Sequence, residues 1–143
     1  MIGLEELEEV VGYQFPGGSY TIEPYRNWLT NDVVGADQRD DDLANPMFCY
    51  YGALASMGIS LDELFALVGA SANDGAMFGE AEIEIRRPLR LSETFQVSGE
   101  ITAVDRKEGR KAGVFDIVSF EIYLSDQNGL VGVSCNSFVF PRR

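Results

Sequence analysis

Residues 46–58 read PMFCYYGALASMG, and this stretch decides the fold. It is almost wholly apolar and mixes large side chains with the small residues Gly52, Ala53, Ala55 and Ser56. Small residues allow a helix to approach a neighbouring backbone closely, so the stretch predicts a buried helix with those residues facing a sheet. Asn45-Pro46 is a helix start signal, with Asn as the cap.

The second half of the chain predicts a β-sheet that packs against this helix. After Gly79 the spacing of apolar residues changes from 3.6 to 2, which indicates strands. We expect four long strands in one antiparallel meander, with turns at Glu108-Gly109 and Asn128-Gly129. The residues expected on the inner face are Ala81, Ile83, Ile85, Phe95, Val97, Gly99, Ile101, Val114, Val118, Phe120, Ile122 and Leu124.

The first half predicts short elements. An amphipathic helix is expected around Leu4 and Leu7, and a short strand within residues 12–19 that ends at the turn Pro16-Gly17-Gly18.

Two further helices are predicted. Glu23-Pro24 begins a helix whose inner face carries Tyr25, Trp28 and Leu29, and an acidic loop should follow over residues 31–42. Ser60 and Glu63 form a capping box for another helix, which Gly69 ends. Together the elements predict a single α+β domain over residues 1–143, with its helices in the N-terminal half and a twisted sheet after them.

Charge excludes several classes of partner. The chain of 143 residues has a net charge of −12, and residues 1–85 contain 16 acidic and two basic groups. Nucleic acid and anionic membrane surfaces both require a basic face, so neither is an expected partner. The first ten residues contain four Glu and no basic residue, which is wrong for a secretory signal. We therefore expect a cytoplasmic protein.

The chain contains no histidine, which excludes Ser-His-Asp and Cys-His catalysis and histidine-ligated metals. Cys49 and Cys135 lie far apart in the sequence and form no metal-binding pattern. No metal site is predicted, and we expect both thiols to be reduced and buried.

Residues 79–94, GEAEIEIRRPLRLSET, carry a family resemblance. A Gly, a short alternating strand, Arg-Pro-Leu and a turn into the next strand resemble the MaoC-like hydratase/dehydratase group of the hotdog fold, although Ser92-Glu93 replaces the group's Gly-Asp. Asn45-Pro46-Met47-Phe48 stands where that group enters its central helix. The resemblance implies a twisted antiparallel sheet wrapped around a central helix, and it extends from about residue 12 to residue 140.

The resemblance also implies an activity. Members of the group add or remove water across the 2,3 bond of an acyl thioester, which coenzyme A or acyl carrier protein carries, and they bind no other cofactor. Their catalytic pair is an Asp and, five residues later, a His in the loop after the first helix. Here Asp32 matches the Asp, but Asp37 stands in place of the His, and Phe78 precedes Gly79 where the group often has His. The residues expected to line the ligand are Asn45, Phe48, Phe78 and Gly79.

Two sets of charged residues have an alternative interpretation. Asp32 and Asp37 are candidate catalytic carboxylates, or part of a solvated acidic loop with Asp40, Asp41 and Asp42. The cluster Arg86, Arg87 and Arg90, near Arg106, Lys107, Arg110 and Lys111, could bind the phosphates of the carrier or could neutralise an acidic protein.

Three functions remain open at this point. The first is a hydratase/dehydratase subunit that lacks a complete catalytic pair and shapes the acyl tunnel with an Asp-His hotdog partner, as a homodimer or heterodimer. The second is a self-sufficient dehydratase or thioesterase that uses Asp32. The third is a non-enzymatic acyl-CoA-binding protein.

Overall fold

A five-stranded antiparallel sheet forms the centre of the computed structural model, which describes residues 1–142. The strands stand in the order β1-β3-β4-β5-β2. The elements are α1 (Leu4–Glu8), β1 (Gly18–Thr21), α2 (Pro24–Val34), α3 (Phe48–Ala55), α4 (Leu61–Leu67), a 3₁₀ turn (Ala72–Asp74), β2 (Met77–Ile85), β3 (Thr94–Gly109), β4 (Gly113–Asp126) and β5 (Gly129–Arg142).

The predicted central helix is confirmed as α3. It packs against β1, β2, β4 and β5, so the curved sheet covers it. Gly52 and Ala53 are buried, and a Cβ atom on Gly52 would lie 2.7 Å from the ring of Tyr20 in β1. Ala55, which was expected to face the sheet, is exposed. Ser56, directly after the helix, donates from Oγ to the carbonyl oxygen of Ser19 in β1 at 2.8 Å. Of the four small residues, only Ala55 therefore points away from the sheet and the core.

The prediction of a four-strand meander is wrong in one strand. β3, β4 and β5 do follow one another, but β2 pairs antiparallel with β5 at the far edge of the sheet. The reason is the connection between β2 and β3. It is eight residues long and includes Pro88, whereas a hairpin needs a tight turn. Such a turn joins β4 to β5, where Gln127 and Asn128 form a two-residue loop and Gly129 already pairs with Asp126.

The predicted first strand is displaced. Residues 12–17 make only an isolated bridge, from Gln14 to Glu100, and β1 begins at Gly18. Gly17 has a φ of 73°, and a Cβ atom there would lie 2.2 Å from the carbonyl oxygen of Val97. The turn at Pro16-Gly17 thus precedes the strand instead of ending it, because only glycine fits so close to β3.

The orientation of α2 is the reverse of the prediction. Tyr25, Trp28 and Leu29 are 58%, 53% and 50% exposed, whereas Asn27 and Asn31 are buried. The two asparagines face inward because they bind the entry to α3. An apolar helix face therefore lies on the surface.

Two predictions for α4 are confirmed, and one for the thiols is corrected. The Ser60–Glu63 capping box forms, and Gly69 adopts a left-handed φ of 63° after α4. Within residues 1–142, no helix combines the length and the apolar character needed to cross a bilayer. Both thiols are free and Cys49 is buried, but Cys135 is only half-buried because it lies on the outer face of the sheet.

Candidate functional site

The predicted catalytic segment, residues 31–42, is only partly a loop. Its first four residues continue α2, so Asp32 lies on the last turn of a helix with its side chain exposed. Asp37 lies in the loop, is also exposed and lines a cavity of about 440 Å³. No hydrogen bond joins the two carboxylates or links either to another side chain within residues 1–142. The structure therefore presents them as separate groups and not as a coupled pair.

The cavity lies between the end of α2 and the start of α3, where three asparagines meet. Asn27 Oδ1 accepts a hydrogen bond from the backbone N of Asn45 at 2.7 Å, and Asn31 Oδ1 accepts one from Asn45 Nδ2 at 2.9 Å. Asn45 Oδ1 in turn accepts from the backbone N of Met47 at 2.9 Å. The prediction of Asn45 as the cap of the central helix is wrong, because Met47 holds the cap position and α3 begins at Phe48. Asn45 instead closes the turn that leads into the helix and ties that turn to α2.

Asn27 and Asn31 were not predicted as site residues. They stand four residues apart, a spacing that places two side chains on one face of a helix. That spacing could have placed both asparagines on the inner face of α2. The apolar residues of the same helix also share one face, and the prediction chose that face as the buried one. The hydrogen bonds of the carboxamides decide which face of α2 is buried. A buried amide needs a hydrogen-bond partner, and the backbone N–H of Asn45 supplies one to Asn27.

The cavity lining also contains a cation, Arg39, which is paired with a carboxylate. Arg39 donates to Asp41 from both Nε and Nη2, and it also lines the cavity. The hydrogen bond from Arg39 holds the pKa of Asp41 below its ordinary value. This neutralised pair leaves Asp37 as the unpaired charge in the lining.

The remaining ligand-lining candidates lie at the start of α3 and on the neighbouring strand β2. Phe48 is buried, whereas Phe78 is 46% exposed and packs edge-on against Phe138 at 5.4 Å and Tyr50 at 6.2 Å. Gly79 lies in a bulge of β2, where a Cβ atom would be 2.6 Å from Ser137 Oγ. Phe48 is the first residue of α3 and Asn45 lies three residues before it, whereas Phe78 and Gly79 share the start of β2.

The arginine cluster is paired with carboxylates. Arg87 donates to Glu93 and, across 2.8 Å, to Asp126. Arg90 donates to both carboxylate oxygens of Asp42, at 2.7 and 2.9 Å.

The three arginines differ in accessibility. Arg86 lies 3.3 Å from Glu84, and the side chains of Arg86 and Arg90 remain 55% and 53% exposed. Arg87 is less exposed, at 34%, and its hydrogen bonds lower the pKa of Asp126. The geometry therefore makes Arg87 a structural cation and leaves Arg86 and Arg90 accessible.

The outer face of the sheet is acidic. Glu82 stands opposite Cys135, Cys135 opposite Glu121, and Glu121 opposite Glu100, so one row crosses four strands. Burial raises the pKa of Cys135, and the carboxylate of Glu121 raises it further. β2 is the last strand of the sheet, and no strand within residues 1–142 occupies its second edge.

No protein-family model matches the sequence, and neither does any curated protein. Solved structures do match. The ChsH1–ChsH2 complex from Mycobacterium tuberculosis is 14% identical with a TM-score of 0.73, and the match covers 97% of this chain and 89% of that one. The HadBC 3R-hydroxyacyl-ACP dehydratase complex from the same organism is 15% identical with a TM-score of 0.66 over 91% and 96% of the two chains.

A third similar structure is a MaoC-like dehydratase from Rhodospirillum rubrum. It is 17% identical with a TM-score of 0.51, and the match covers 100% of this chain and 99% of that one. Sequence identities this low show a shared fold and nothing more. That fold is the hotdog fold, as the resemblance in residues 79–94 implied.

Proposed function

We propose that this chain is the non-catalytic subunit of a heteromeric hotdog hydratase/dehydratase that acts on acyl thioesters. The proposal depends on one combination: the chain has the hotdog fold, and none of its 143 residues is a histidine. Where a base and an acid would be needed, the chain has two separate aspartates and an asparagine cluster. The activity then requires a catalytic pair from a second chain.

The chemistry explains why two exposed aspartates are insufficient. Hydration of a 2,3 double bond needs a base that takes a proton from water and an acid that protonates the neighbouring carbon. Solvent-exposed carboxyl groups are ionised at neutral pH, so they can accept a proton but are poor donors. Asp32 and Asp37 are both exposed, and neither forms a hydrogen bond with another side chain within residues 1–142.

The carrier of the acyl group is coenzyme A or acyl carrier protein in this proposal. Both present phosphate, and Arg86 and Arg90 are the accessible arginines that could meet it. A bound phosphate would have to displace Glu84 or Asp42, both of which are solvent-exposed partners. Such exposed ion pairs are weak, at about 0–1 kcal/mol, so the exchange is feasible.

The charge of the β2 edge favours a heteromer over a homodimer. The carboxylates of Glu80, Glu82 and Glu84 alternate along β2 on the outer face. If two copies joined their β2 edges in one continuous sheet, these carboxylates would face one another, and like charges opposite each other in a sheet are destabilising. A hotdog partner with basic residues on its pairing strand would remove that repulsion. Two of the similar structures are complexes of two different chains, as their names state.

The test is a hydration assay with short, long and polycyclic 2-enoyl-CoA substrates. The purified chain is assayed alone and after co-expression with a candidate hotdog partner that carries the Asp-His pair. We expect turnover only with the partner, and we expect Asp32→Ala to leave that turnover within about 3-fold, far less than the loss of a general acid or base would cost. The exposed Asp105→Ala is the matched control.

Each result separates the alternatives. Turnover by the chain alone that Asp32→Ala abolishes would overturn the proposal in favour of a self-sufficient enzyme. Acyl-CoA binding without turnover, with or without the partner, would instead point to a non-enzymatic binding protein.

A further inference from the structure

The asparagine cluster beside the cavity has an atom assignment that the backbone fixes. A backbone N–H can only donate, so the atoms that face the N–H groups of Asn45 and Met47 must be the oxygens of Asn27 and Asn45. Asn45 Nδ2 is then committed as a donor, and the atom it reaches at 2.9 Å must be the oxygen of Asn31. The orientation of all three carboxamides follows from two main-chain donors.

This assignment leaves two amide groups unused. Neither Asn27 Nδ2 nor Asn31 Nδ2 donates a hydrogen bond to any residue within 1–142, although the residues are only 6% and 5% exposed. Throughout residues 1–142, every fully buried side-chain nitrogen or oxygen has a hydrogen-bond partner. Both amide nitrogens therefore retain some accessible surface, and Asn31 is one of the residues that line the cavity.

The cavity is built for a neutral ligand. The positive charge of Arg39 is balanced by its partner Asp41, so this pair adds no net positive charge to the lining. Asp37 contributes a carboxylate, and the chain carries a net charge of −12, so an anionic ligand would be repelled. The unused groups are thus a carboxamide donor from Asn31 and a carboxylate acceptor from Asp37.

We infer that this cavity binds a neutral carbonyl group that has an N–H or O–H group close to it. Asn31 donates from Nδ2 to the carbonyl oxygen, and Asp37 accepts from the N–H or O–H. A secondary amide of a pantetheine arm has this chemistry, and so does a 3-hydroxyacyl thioester. The inference deepens the proposed function, on which the choice of these two ligands rests, and it gives this subunit a contact with the substrate without a catalytic role.

The test uses the full chain labelled with ¹⁵N and follows the side-chain NH₂ signals of its asparagines. One titration uses pantetheine, which has amides but no acyl group, and the other uses S-ethyl 3-hydroxybutanethioate, which has no amide. We expect the Asn31 signal to shift and saturate with one or both probes, and the responding probe identifies the source. Asn31→Asp keeps the shape and the acceptor but removes the donor, so it should weaken binding about 3- to 10-fold.

Two controls accompany that variant. Asp37→Asn should weaken the same probe by a similar factor, since the amide is a poorer acceptor than the carboxylate. Asn73→Asp adds the same charge at an exposed position outside the cavity and should leave the affinity unchanged.

The wild-type spectrum decides the matter even if Asn31→Asp does not fold. An Asn31 signal that stays unmoved by both probes would overturn the inference, as would equal affinity in wild type and a folded Asn31→Asp. If turnover with the partner occurs while the Asn31 signal stays unmoved, only the inference fails. If the signal shifts but the partner confers no turnover, the binding site stands and the proposed function fails.

Discussion

Arg142 donates a hydrogen bond from Nε to Asp116 Oδ2 across 2.6 Å, and both side chains are buried. Arg106 donates to the same carboxylate from Nε at 2.7 Å and from Nη2 at 2.8 Å. The two arginines also reach main-chain carbonyls, Arg142 at Val68 and Gly69 and Arg106 at Ile2. One carboxylate therefore joins β3, β4 and β5 to the N-terminus and to the end of α4.

We predict that Asp116→Asn strongly destabilises the chain. The substitution leaves two guanidinium groups facing an amide, and loss of one partner of a buried ion pair costs about 3–5 kcal/mol. Denaturation in urea would measure the loss in the free energy of unfolding. Asp105→Asn, at an exposed position on β3, is the control and should change little. A loss below about 1 kcal/mol for Asp116→Asn would show that the carboxylate is dispensable.

Asp116 should also make the stability pH-dependent. Burial alone would raise the pKa of Asp116, but hydrogen bonds from Arg106 and Arg142 outweigh it and hold the pKa below its ordinary value. A depressed folded-state pKa stabilises the protein above the unfolded-state pKa of about 4, and this contribution is lost as the pH falls further. Thermal unfolding between pH 7 and pH 2 should show that loss, and Asp116→Asn should show a shallower one. Parallel curves for the two proteins would contradict the prediction.

Gly52 should tolerate no larger side chain. Gly52→Leu would force the ring of Tyr20 away from α3, which costs on the order of 1–3 kcal/mol. The control is Ala55→Leu, because Ala55 lies on the exposed side of the same helix. A second change, Tyr20→Ala, should restore part of the loss in the Gly52→Leu background, since the two residues are in contact. Equal melting temperatures for Gly52→Leu and wild type would contradict this packing.

The two thiols should differ in reactivity. Burial, with a smaller effect of nearby Cys135, raises the pKa of Cys49 to about 11, so almost none of it is thiolate at pH 8. Cys135 is half-buried on the outer face of the sheet, although its pKa is also raised. Iodoacetamide on the native chain should therefore modify Cys135 first, as peptide mass spectrometry can determine. Faster labelling of Cys49 would mean that α3 leaves the sheet readily.

The arginines should separate binding from stability. If phosphates of acyl-CoA contact Arg86 and Arg90, the affinity should fall as salt rises, and the double variant Arg86→Ala/Arg90→Ala should flatten that dependence. Arg87→Ala should instead lower the melting temperature, because Glu93 and Asp126 would lose their shared partner. An unchanged salt slope in the double variant would remove these two residues from the ligand site.

Local patterns were enough for many elements of the fold. The apolar stretch 46–58 predicted α3, Ser60 and Glu63 predicted the start of α4, and Asn128-Gly129 predicted the last hairpin. Each of these signals acts between residues that are close in the chain, through a cap, a turn or a side-chain period. The histidine count alone also constrained the chemistry, since composition does not depend on folding.

The sequence by itself determined the element types, the central helix and the lack of an imidazole. Only the tertiary structure decided which strand β2 joins, which face of α2 is buried, and that Asn27 and Asn31 meet Asn45 beside Asp37. It also decided that Arg87 meets Asp126, 39 residues away. The physical reason is separation along the chain. Helix caps and side-chain periods depend on residues that are close in sequence, whereas strand partners and buried polar contacts form between distant residues only when the chain folds.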